Sequence, residues 1–115
     1  MSSLLVFPDP PPPELAQSLD LAGFSWKAVD NHEIADEYND DNQWSGAVIV
    51  ADEDPNAAFA FARSLRKGSN PLQGILLLLN ATQLGQLELR DELFDDFILT
   101  PFRHQELEAR LKHLF

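Results

Sequence analysis

Two stretches of this chain, Ala47 to Ala51 and Ile75 to Leu79, are apolar at every position. A strand with one wet face alternates polar and apolar residues, whereas a strand covered on both faces has no reason to alternate. Runs this short suit strands better than helices. They predict central strands of a sheet that carries helices on both sides.

The other segments fit around these two. Leu4-Leu5-Val6-Phe7 reads as another buried strand, ended by Pro8. Pro11-Pro12-Pro13 leads into a helix over 14–22 with Leu15, Leu19 and Ala22 on one face, and Gly23 follows its end. Phe24, Trp26 and Ala28 alternate with Ser25 and Lys27, as a half-exposed strand does. Asp30 and Glu33 resemble a capping box for a short helix around Ile34 and Tyr38, and Asn39 to Gln43 form a loop. The acidic loop Asp52-Glu53-Asp54-Pro55-Asn56 opens a helix with Ala58, Phe61, Ala62 and Leu65 on one face, broken by Gly68 to Pro71. Residues 82–94 predict a fourth helix and Phe97-Ile98-Leu99 a fifth strand. The last helix, Glu106 to Phe115, aligns Leu107, Leu111 and Leu114.

Strands alternating with helices of this length require crossover connections, and therefore a parallel sheet. With 115 residues and no internal repeat, residues 1–115 make one domain. The expected class is α/β: a doubly wound, five-stranded parallel sheet of flavodoxin-like order 2-1-3-4-5, in a three-layer sandwich.

Composition removes several functions. Eight Lys and Arg against nineteen Asp and Glu give a net charge of −11. Such a surface repels phosphate backbones, so no nucleic-acid contact by this domain is expected. No apolar run approaches the roughly 20 residues of a membrane span. No basic region precedes the first apolar stretch either, so a cytoplasmic location with no membrane contact is expected. The lack of cysteine removes disulfides, thiol nucleophiles and cysteine-type zinc sites. His32, His104 and His113 have no ligand spacing, and there is no Gly-x-Ser-x-Gly and no phosphate-binding glycine loop. Neither enzymatic activity nor a cofactor is expected.

The segment Asp95-Asp96-Phe97-Ile98-Leu99-Thr100-Pro101-Phe102, followed by Glu106-Leu107-Glu108-Ala109-Arg110-Leu111, resembles the end of receiver domains of the OmpR/PhoB class of response regulators. In that class the fifth strand ends in Lys-Pro-Phe and the last helix carries Glu-Leu-x-Ala-Arg. The start, Leu4 to Pro10, is similar to that of the orphan nitrogen-regulator-type transcription factors of actinobacteria. The resemblance implies a CheY-like fold and a cis bond at Thr100-Pro101. Receivers form an acyl phosphate on an aspartate at the end of the third strand. An acidic pair after the first strand holds Mg²⁺ there, and a lysine offsets the remaining charge.

Laid on this sequence, the acidic pair falls on Pro8 and Asp9, and the acceptor on Ala51, from its four-residue offset to Pro55. The Ser/Thr after the fourth strand becomes Asn80, and the lysine becomes Thr100. Only Asp9 keeps the family's chemistry. The resemblance therefore implies an atypical receiver, independent of phosphorylation and without a metal. A one-residue slip puts Asp52 at the acceptor position instead. The alternative is then a degenerate receiver phosphorylated at Asp52, or one binding a divalent ion through Asp9 with Asp52 or Glu53.

At about 100° per residue, Leu84, Leu87 and Phe94 share one side of the expected fourth helix, and Leu89 and Leu93 lie opposite. A helix lying on a sheet needs one apolar face, so the second is either the edge of a wide core face or a contact with another molecule, and the resemblance favours the contact. Receivers of the class dimerise through the fourth helix, fifth strand and fifth helix, with a leucine-rich centre ringed by ion pairs. The matching ring positions are Asp96, Glu106 and Arg110, with Arg90, Asp91 and Arg103 nearby. Asn80 and Phe97 stand where the usual switch has its Ser/Thr and its aromatic, so a dimer formed without phosphorylation is implied. It would serve a transcription factor whose DNA-binding domain lies beyond residue 115. A stand-alone adaptor for a regulatory protein partner is the alternative.

Overall fold

The computed structural model describes residues 3–31, 44–67, 72, 74–87 and 91–115. Five strands are present: β1 (Ser3–Phe7), β2 (Trp26–Ala28), β3 (Trp44–Val50), β4 (Ile75–Asn80) and β5 (Asp96–Thr100). All pair in parallel, in the order β2-β1-β3-β4-β5. The expected topology is therefore found.

Successive side chains of a strand point to opposite faces, and that alternation builds two cores here. On one face Leu4, Val6, Val48, Val50, Leu76, Leu78 and Ile98 pack against two helices, α1 (Pro13–Leu21) and α3 (His104–Leu114). These helices contribute Leu15, Leu19, Leu107 and Leu111. On the other face Leu5, Phe7, Ile49, Ala51, Leu77 and Leu79 meet Ala58, Phe59, Phe61 and Ala62 of α2 (Pro55–Lys67). The rings of Phe7 and Phe61 stack there at 4.5 Å. The sandwich has its three layers.

Local chemistry sets the helix ends. Proline opens α1, and Gly23, with φ 83°, turns the chain out of it. The Asp54 carboxylate accepts the Ala57 amide at 3.1 Å and so caps the start of α2. At the far end of α2, Arg66 donates to Asp95 at 2.7 Å, and the same Asp95 oxygen accepts the Ile75 amide. That carboxylate ties α2 to the start of β4.

The fourth helix differs from the expectation. In its place are two 3-10 segments, Ala81–Leu87 and Asp91–Leu93. Gln83, a polar residue in the first segment, turns inward and is buried, while Leu84 is 39% exposed. Leu93 is only 4% exposed and packs into the core beneath α2. The second apolar face assumes one regular helix, and because the described residues around Leu93 are 3-10, the projection fails there. Leu89 and Arg90 lie outside the described residues, as does the short helix expected around Ile34 and Tyr38.

Candidate functional site

In doubly wound sheets, ligands bind beyond the carboxyl ends of the strands, where the strand order reverses. Here that point lies between β1 and β3. A cleft of about 730 Å³ opens there, lined by Phe7 to Glu14, Val50, Asp52 to Asp54, and Ala57. A second cavity of about 450 Å³ adjoins it, sharing Pro12, Glu14, Val50 and Asp52, and adding Leu78, Asn80, Thr100, Pro101 and Phe102.

Strand register decides which side chains meet. Val50 pairs with Leu78 and Asn80 with Thr100, so the residue two past Val50 faces the Asn80–Thr100 row. That residue is Asp52. Its Oδ2 accepts the Thr100 hydroxyl at 2.7 Å, while its Oδ1 is sealed from solvent without a hydrogen-bond partner.

Ala51 occupies a different place. It is fully buried in the core beneath α2, and its amide donates to the Leu78 carbonyl at 2.7 Å. The acceptor position assigned to Ala51 from its offset to Pro55 is corrected on that geometry. The side chain that reaches the Asn80–Thr100 row is that of Asp52, one residue on, because alternation turns position 51 to the opposite face.

The other candidate positions do gather here. Pro8 is half-buried in the cleft wall and Asp9 is exposed at the rim. Asn80 lines the second cavity and accepts the Thr82 hydroxyl through its side-chain oxygen. Thr100 stands beside Asp52, and the bond from Thr100 to Pro101 is cis as expected.

The lining charge is one-sided. Asp9, Glu14, Asp52, Glu53 and Asp54 line one or both cavities, and among the described residues no lysine, arginine or histidine does. The metal that the fold implies does not fit these residues. Pro8 offers no side-chain donor, and no group of three or more His, Asp or Glu side chains placed to hold an ion occurs among the described residues.

One residue of the site carried no sequence signal. Gln83 is 7% exposed. Its Nε2 donates to the carbonyls of Ala51 and Asp52, both at 3.1 Å, and its Oε1 accepts the Asn80 amide at 3.0 Å. A single amide thus joins the loop that carries Asp52 to the end of β4.

The charges expected to ring a partner surface pair within the chain. Arg110 donates to both oxygens of Asp96, at 2.9 and 2.8 Å, and lies 3.5 Å from Glu106. The hydrogen bonds it donates to the Asp96 carboxylate hold the Arg110 guanidinium pKa above its usual value. Among the described residues the large apolar side chains left exposed are Leu21, Leu84 and Leu99, at 69%, 39% and 37%.

No protein-family model matches the sequence, and no curated protein does. Solved structures match in shape. Chemotaxis protein CheY4 of Vibrio cholerae superposes with a TM-score of 0.78 over 100% of this chain and 99% of its own, at 16% identity. The receiver domain of a Pseudomonas aeruginosa sensor histidine kinase, solved with magnesium coordinated in its active-site cleft, gives 0.76 over 98% and 96%, at 17% identity. A CheY-like receiver domain from Methylobacillus flagellatus gives 0.76 over 100% and 99%, at 18% identity. At such identities the likeness is one of fold. No helix among the described residues is long and apolar enough to cross a membrane. The chain has the doubly wound fold of CheY-like receiver domains, with Asp52 and Thr100 joined where its third and fifth strands end.

Proposed function

We propose that this chain is the regulatory domain of an atypical response regulator, of a kind not switched by aspartyl phosphorylation. The observation that carries the proposal is the contact at Asp52. A neutral hydroxyl, that of Thr100, stands against the carboxylate, and every charged side chain among the described lining residues is acidic. An acyl phosphate forms only where positive groups stabilise the charge gathering on the transferred phosphoryl. Among the described lining residues the incoming phosphoryl group would meet carboxylates alone, and like charges about 4 Å apart repel by about 4 kcal/mol at a typical surface dielectric of about 20. Incubation with acetyl phosphate and Mg²⁺ should leave the intact mass unchanged. A gain of one phosphoryl group that vanishes in Asp52→Asn would overturn the proposal.

The segments that resemble the OmpR/PhoB class support placing the domain in a transcription factor of that kind, with DNA contacts made outside these residues. Self-association belongs to the same proposal, with its centre moved. Leu93 is buried and Arg110 is already paired, so the exposed Leu84, after β4, and Leu99, on β5, take their place as the apolar centre that meets a second copy. The wild type should sediment as a dimer at micromolar concentration, and Leu84→Glu with Leu99→Glu should sediment as a folded monomer. A wild type that stays monomeric at every concentration would refute self-association. Arg110→Glu is a poorer probe, because it sets a third carboxylate beside Asp96 and Glu106 and weakens the fold itself, by up to about 1 kcal/mol at this exposure.

A further inference from the structure

We infer that Gln83 is a positioning residue, the link by which a change at Asp52 reaches the exposed surface at Leu84. The inference rests on reading this end of the sheet as the site where the signal is received.

Three elements end close together here, and the Gln83 amide touches two of them. Its two hydrogen bonds to the Ala51 and Asp52 carbonyls hold the backbone just after β3, and its bond from the Asn80 amide holds the end of β4. A closed circuit results. Gln83 holds the Asp52 backbone, the Asp52 side chain holds Thr100, and Thr100 pairs in register with Asn80, whose amide returns to Gln83. The side chain is buried, so a broken bond leaves a polar group without water to replace it. The loop at 51–52 therefore cannot shift alone. It must carry the Gln83 amide with it.

Gln83 lies in the 3-10 segment Ala81–Leu87, and the next residue is Leu84, 39% exposed. A displaced Gln83 side chain drags or rotates that segment, and so changes how Leu84 is presented. Backbone and side chain of adjacent residues thus join an inward polar anchor to an outward apolar one.

The test is a mutant cycle read by backbone amide chemical shifts. Asp52→Asn alters the bond to Thr100 and should move the amides of Leu84 and Gly85 in the otherwise wild-type domain. In Gln83→Met, which keeps the volume and removes the hydrogen bonds, the same change at Asp52 should move those amides at least about threefold less. Gln83→Glu keeps the acceptor for Asn80 but loses the donors to 51 and 52, and should lose the coupling equally; it serves if Gln83→Met does not fold. Equal shifts at Leu84 with and without the Gln83 bonds would overturn the inference, because the link would run elsewhere. No shift at Leu84 after Asp52→Asn would overturn it too. A mass gain with acetyl phosphate, in contrast, would remove the proposed mode of regulation and leave the outcome of this cycle as stated.

Discussion

Gly46→Ala should destabilise the domain by about 1–3 kcal/mol, the usual range for forcing atoms into a packed interior. Gly46 is buried in β3, and a Cβ built there falls inside the ring of Phe115. The same ring lies 2.8 Å from where a Cβ on Gly74 would stand, so it covers two glycines side by side. The Phe115 amide donates to the Leu111 carbonyl at 2.8 Å, which fixes the backbone that carries the ring. The obstacle to a methyl group at 46 is a side chain and not backbone, so the ring swings out and its packing against the α1–α3 face is lost. Denaturant unfolding reads the cost directly. Phe115→Ala should cost a similar amount alone, and in that background Gly46→Ala should be neutral or mildly stabilising, since alanine loses less entropy than glycine on folding. Strictly additive costs would show that the ring does not sit on Gly46.

The sheet was legible because its strands are short, apolar and separated by helical lengths. Continuous runs at 47–51 and 75–79 admit little but buried parallel strands, and the order followed from the crossover count. The same continuity hid the site. A strand buried on both faces has no polar–apolar alternation, so sequence does not say which way position 51 or 52 points. Counting back from Pro55 selected Ala51, whereas the pairing of β3 with β4 brings Asp52 to Thr100.

The segment after β4 departs from its sequence pattern for a related reason. Leucines at 84, 87, 89 and 93 suit a helix with two apolar faces, and that pattern assumes one uninterrupted period of 3.6. Instead the first turn is bound to β3 through a buried glutamine, a tertiary contact between residues 31 and 32 apart in sequence. Local pattern carries no sign of such a contact. Asp96 and Arg110 read from the sequence as positions ringing a partner surface, and in the structure they bond within one chain; the two arrangements look identical in sequence.

Giving the site back its missing charges should give it back the chemistry. The double variant Pro8→Asp with Thr100→Lys is expected to take one phosphoryl group from acetyl phosphate in the presence of Mg²⁺, where the wild type takes none. The lysine would stand beside the Asp52 carboxylate, since Thr100 already touches it at 2.7 Å. An aspartate at 8 would line the same cleft as Asp9, Asp52 and Glu53, and would supply the donor that proline lacks. The lysine, and the Mg²⁺ that the aspartate would help to hold, would offset the charge that builds on the phosphoryl group, and each such interaction contributes roughly 3 kcal/mol to a rate when correctly placed. Intact mass reports the outcome. Adding Asp52→Asn to the double variant should abolish the gain, and adding Ala51→Ser should leave it, because residue 51 faces the core beneath α2. A phosphoryl group that persists in the Asp52→Asn triple variant would mean that some other side chain is the acceptor. No gain in the double variant would mean that Asp52 is held in a geometry that phosphoryl transfer cannot use, whatever charge surrounds it.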